Sequence, residues 1–105
     1  MQHEFETRAS GSAPPDGQAI VDVMQMILRA EAFHGAGQSH VACEILLCAV
    51  AIEPRATRAW KDLGAILHTM GEIDDAISAL EQALLLDPSD SDAATDLELV
   101  RSSAA

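Results

Sequence analysis

TRAWKDLGAILHTMGEIDDAISALEQALLLDPSD, residues 57–90, contains two apolar helical stripes with a break between them. Trp60, Leu63, Gly64 and Leu67 recur at the three- and four-residue steps that bring side chains onto one side of an α-helix. Ala76, Leu80 and Ala83 make a second stripe. Between the stripes stands Gly71, the residue type best able to end a helix in the left-handed conformation. Pro88 closes the segment, because proline lacks the N–H a helix needs and restricts the residue before it. The segment therefore predicts two helices folded back on each other.

The same pattern occurs once more, immediately upstream. Laid over 57–90 without gaps, residues 23–56 match at His34/His68, Gly37/Gly71, Ala42/Ala76, Leu46/Leu80, Ala49/Ala83 and Pro54/Pro88. Small side chains such as Ala30, Gly64, Ala42 and Ala76 let two antiparallel helices approach closely, while Phe33, Trp60, Leu67, Leu46 and Leu80 fill the space between them. The upstream copy is less regular: Met26 stands where the second copy has Trp60, and Arg29 where it has Leu63. In length, small residues and closing proline the unit resembles the tetratricopeptide repeat.

The resemblance covers residues 23–101, as repeats 23–56 and 57–90 and a capping helix over 91–101. It implies an all-α fold, a short right-handed α-solenoid of antiparallel helix pairs within a domain spanning 18–101. Five helices are expected near 18–34, 38–52, 57–70, 73–86 and 91–101. Ser89 or Ser91 suits the N-cap of the last, with Asp92 in its first turn and Arg101 near its end. Residues 1–17, with Gly11, Pro14, Pro15 and Gly17 and no sustained periodicity, read as a flexible tail. Residues 102–105 are expected to fray.

Composition excludes several classes of partner. The chain of 105 residues has 17 acidic and 6 basic side chains, a net charge of −11. Nucleic acid and anionic membrane surfaces both require clustered Lys and Arg, so neither is expected. No apolar run reaches the roughly 18 residues of a transmembrane helix, and the N-terminus lacks a secretory or transit pattern. A cytoplasmic location is the expectation. Cys43 and Cys48, five residues apart on one helix, point about 140° apart and cannot pair with each other. Catalysis, metal binding and cofactors have no motif behind them: there is no phosphate loop, nucleophile elbow, CxxC or HxxxH spacing.

What the resemblance implies instead is a concave groove, lined by the first helix of each repeat, for an extended peptide or partner helix. Carried onto this sequence, the groove takes Met24, Ile27, Glu31 and His34 from one helix and Arg58, Lys61, Ala65 and His68 from the next, with Asp92, Thr95 and Leu99 from the cap. Arg58 and Lys61 share a helix face and suit a carboxylate; the alternative is a solvated face pairing with Asp62 or neighbouring acids. Family members that clamp a chaperone's C-terminal carboxylate use a Lys and Asn set, and this chain has no Asn, so that specific role is not expected. The expected function is a protein-interaction module for a peptide or amphipathic helix, in a narrower form a bacterial secretion-type chaperone or adaptor. The alternative is a self-associating scaffold, a homo-oligomer through the first helix, whose Ile20, Val21, Val23, Met24, Met26, Ile27 and Leu28 surround its axis.

Overall fold

The sequence rhythm of apolar stripes and punctuating glycines becomes five helices: α1 (Asp16–Gly35), α2 (Ser39–Ile52), α3 (Thr57–Thr69), α4 (Ile73–Leu86) and α5 (Ser91–Ala104). The computed structural model describes the backbone of residues 16–104 and the side chains of residues 22–104. Asp16 and Gly17 open α1 instead of ending a tail. The rest of the expected tail, residues 1–15, lies outside the described residues, as do the side chains of Ile20 and Val21. All described elements are helices, and the architecture is an all-α solenoid of antiparallel pairs.

The two glycine breaks have one geometry. Gly37 and Gly71 hold φ of 84° and 82°, a region closed to most side chains. At the first break the Gln38 N–H donates to the Phe33 carbonyl at 2.8 Å and the Gly37 N–H to that of His34 at 3.0 Å; at the second, Glu72 bonds Leu67 at 2.9 Å and Gly71 bonds His68 at 3.0 Å. These paired bonds satisfy carbonyls that a helix end otherwise leaves open. The turn is therefore identical in both copies.

Packing follows the small residues. Ala30, Ala42, Ala49, Ala76 and Ala83 are wholly buried, with Leu46 and Leu80 among them. At Gly64 the approach is closest: a Cβ added there would stand 2.6 Å from Leu80 Cγ, inside any tolerable contact. Glycine at this position lets α3 lie against α4. Trp60 serves a different purpose, since its indole N–H donates to the Pro54 carbonyl at 2.8 Å and ties α3 to the preceding loop.

The last helix departs from expectation at both ends. Its cap is Asp90, whose Oδ1 accepts the Ala93 N–H at 3.1 Å, and not Ser89 or Ser91. It also runs on to Ala104 where fraying was expected after 101. Ser103 accounts for the extension: its hydroxyl donates to the Leu99 carbonyl at 3.2 Å and lies 3.0 Å from His68 Nε2.

Helices adjacent in sequence pack on one another, and α1 also touches α3, and α3 touches α5. No pair of Cα atoms from α2 and α4 comes within 8 Å. The stack accordingly bends with α1, α3 and α5 on its inner side and α2 and α4 splayed on its outer side.

Candidate binding faces on either side of helix α3

Helix α3 has two working sides. At about 100° per residue, Arg58, Lys61, Ala65 and His68 point nearly opposite to Trp60, Leu63 and Leu67. The first set looks toward α1 and α5, the second into the gap between α2 and α4.

On the inner side the structure brings together Glu31, Arg58 and Asp62. Arg58 grips Glu31 across the α1–α3 contact with two hydrogen bonds, Nε to Oε2 at 2.8 Å and Nη2 to Oε1 at 2.7 Å. Lys61 Nζ reaches Asp90 Oδ2 at 2.9 Å, so Asp90 both caps α5 and holds α3. Of the two readings given to this basic pair, the structure favours pairing with neighbouring acids, and those acids are Glu31 and Asp90, not Asp62.

Asp62 sits beside this network with Oδ2 buried and without a donor. Burial pushes its carboxyl up to about 7, and the neighbouring Glu31 carboxylate adds to the effect. Glu31 moves the opposite way, held below its ordinary value by the hydrogen bond from Asp62 and then by Arg58. Two carboxylates cannot hydrogen-bond without a proton between them. A carboxyl raised to about 7 takes up that proton as pH falls toward neutrality, and only then can it donate to Glu31.

The remaining expected groove residues are distributed unevenly. Met24 is 41% exposed, as proposed for a contact residue, but Ile27 is only 2% exposed and belongs to the core. Its stripe Val23, Ile27, Ala30 turns inward against α2 and α3, so Ile27 serves as a floor and not as a free apolar contact. His34 is occupied by Ser39, Nδ1 to Oγ at 3.0 Å, and His68 by Ser103, while Ala65 stays open. A depression of about 280 Å³ lies over Val23, Met24 and Ile27, edged by Arg55, Arg58 and Glu53.

The outer side was not anticipated. Between α2 and α4 opens a larger cavity of about 610 Å³, floored by Trp60, Leu63 and Leu67 and walled by Cys43 and Leu47 of α2 and Ser78, Ala79 and Gln82 of α4. Glu72 and Asp75 stand at its rim, and no Lys, Arg or His lines it. Burial pushes the Cys43 thiol up, and Glu44, Asp75 and Glu72 push it further, so the thiolate that redox or metal chemistry needs is disfavoured there. A signal for this face existed in SHVACEILLCAVAI, residues 39–52, which is apolar nearly all round.

Among the described residues no three His, Cys, Asp or Glu side chains gather as a metal-holding group, and no helix is long and apolar enough to cross a membrane.

Comparison with known proteins agrees with this architecture. A family model for the tetratricopeptide repeat matches residues 57–90. Among solved structures, the second tetratricopeptide domain of Spaghetti (RPAP3), bound to the HSP90 peptide SRMEEVD, aligns with a TM-score of 0.74 at 20% identity, covering 76% of this chain and 74% of that chain. The first such domain of the same protein, bound to the same peptide, gives a TM-score of 0.76 at 23% identity, over 78% of this chain and 65% of that one. No curated protein matches the sequence. The chain thus carries a tetratricopeptide repeat at residues 57–90 and folds, through the rest of its described helices, as a tetratricopeptide-repeat domain.

Proposed function

We propose that this chain is a protein-interaction module that takes a short segment of another protein on its inner face, across α1 and α3. The observation that carries the reading is the depression over Val23, Met24 and Ile27, where an exposed methionine meets two arginines and a single acid, Glu53. Its chemistry suits an apolar side chain flanked by acids: the anchor rests on Met24 and the buried Ile27, and the acids meet Arg55 and Arg58. Arg55 has no ion-pair partner among the described residues, while Arg58 holds Glu31 in an exposed pair of about 0–1 kcal/mol. A partner's carboxylate therefore displaces Glu31 at little cost. Both solved neighbours carry a peptide of this kind, SRMEEVD, with one methionine and three acids.

SRMEEVD is accordingly the first probe. Binding followed by calorimetry is expected to weaken about tenfold with Met24→Asp or Arg55→Glu. If neither substitution changes the affinity, or the peptide does not bind at all, the inner face is not the binding surface proposed. The role of a secretion-type chaperone or adaptor is the narrower form, and rests on small size and acidity alone; coexpression with an apolar secreted helix tests it. Self-association through α1 is the second reading, favoured by Leu28 at 49% exposure beside Met24. Light scattering separates it: a chain that stays monomeric at millimolar concentration eliminates the scaffold.

A further inference from the structure

The geometry points to a second docking site on the outer face, in the cavity between α2 and α4, for an amphipathic partner segment whose apolar side chains are flanked by Lys or Arg. Three observations carry it, and none belongs to the inner face.

The first is the gap itself. Helices α2 and α4 have no Cα atoms within 8 Å of each other, so a gap opens between them over α3, with Leu63 and Leu67 buried in its floor and Trp60 half-buried. The space of about 610 Å³ falls within the range of sites that bury several side chains. The second is its chemistry. The floor is apolar, the α4 wall adds the uncharged Ser78 and Gln82, and Leu47, at 51% exposed, stands on the α2 side with nothing packed over it to shield it from water. Covering that surface is favourable for any segment presenting apolar groups at helical spacing.

The third observation selects the charge of the occupant. Glu72 and Asp75 edge the cavity, both exposed, and neither takes part in an ion pair among the described residues. No positive side chain lines the site to neutralise them. An acidic segment is repelled there, and a neutral one leaves both carboxylates unanswered; a basic flank completes the site. A second copy of this chain is a poor occupant, because it brings a net charge of −11 and only six basic residues, three of which (Arg58, Lys61 and Arg101) are already held in ion pairs.

Trp60 is the sole tryptophan and forms part of the floor, so its fluorescence reads the site directly. The probes are two synthetic amphipathic peptides of about fifteen residues with the same leucine stripe, one flanked by lysines and the other by glutamates. The lysine peptide is expected to shift Trp60 emission saturably, and the glutamate peptide to leave it unchanged. Glu72→Lys with Asp75→Lys is expected to lower affinity for the lysine peptide by about tenfold or more, and the milder Glu72→Gln with Asp75→Asn by about threefold. Leu47→Asp removes binding, with circular dichroism confirming that the helices remain. Met24→Asp, on the other face, leaves it intact, so failure here is distinct from failure of the inner-face reading. Equal binding of both peptides, undiminished affinity in the neutralised variant, loss of binding with Met24→Asp, or a dimer that Leu47→Asp dissociates would each overturn the proposal.

Discussion

The two sides of α3 differ less in shape than in how their charges are answered. On the inner side the two basic residues of α3 have partners within the chain: Arg58 holds Glu31 and Lys61 holds Asp90, with the raised carboxyl of Asp62 beside the first pair. On the outer side the cavity is larger, and its two acids have no cation beside them. Internal pairing stitches α1 to α3 and α3 to the start of α5, and it holds the inner helices together where the outer ones splay. The difference teaches that residues carrying charge on an expected groove need not be waiting for a ligand. Their first employment is structural, and a partner has to compete with it.

The comparison can be broken most forcefully at Gly64, the closest approach of α3 to α4. Gly64→Ala places a methyl group against Leu80, and overpacking of this kind destabilises by about 1–3 kcal/mol. Urea denaturation measures it. In a Leu80→Ala background, which removes the opposing atoms, the same substitution is expected to be close to neutral.

A smaller effect separates the raised acid from its neighbours. An acid whose folded-state pKa is raised binds its proton more tightly when folded, so its contribution is fully present at low pH and is lost as pH rises. For Asp62 the window runs from its ordinary value of 3.8 to about 7. Glu31, with its value lowered, works in the opposite direction below the ordinary carboxylate range. Asp62→Asn keeps a donor toward Glu31 and removes the proton. It is expected to stabilise the fold at pH 8 by about 1–2 kcal/mol, a figure reduced because the carboxyl is only partly buried and screened by water, and to give no gain at pH 4. Thermal melts at the two pH values check this; a gain of equal size at both would contradict the shared proton.

The smallest effect concerns the Arg58–Glu31 pair. A double-mutant cycle with Arg58→Ala and Glu31→Ala is expected to return a coupling of about 0.2–1 kcal/mol, as for other exposed pairs. A coupling above about 2 kcal/mol would mean that a partner cannot displace Glu31, and would close the inner face to acidic segments.

Much of the fold was legible because it depends on local pattern. The matched Gly37/Gly71 and Pro54/Pro88 positions set the helix breaks, and α4 occupies residues 73–86 as its stripe requires. The site was less legible, for two physical reasons. Ile27 was assigned to the groove, but Val23, Ile27 and Ala30 share a stripe that two neighbouring helices bury, and only the tertiary arrangement says which side of an all-round apolar helix stays open. The cross-helix pairs were also out of reach, since Arg58 finds its acid 27 residues away while Asp62 is nearer in sequence. The outer cavity depends on α2 and α4 standing apart, which follows from the bend of the whole stack. Its one sequence trace, the nearly uninterrupted apolar run of residues 39–52, is equally compatible with a fully covered helix.

The most direct test of the opposed faces is a nuclear magnetic resonance titration of the isotope-labelled chain with each peptide in turn. The account expects the lysine-flanked peptide to move amide signals in α2 and α4 beside Leu47 and Ala79, together with the Trp60 indole N–H. It expects SRMEEVD to move those beside Met24 and Arg55. Both peptides shifting the same set of residues, or neither shifting any, would contradict the claim that α3 offers two faces of opposite charge preference.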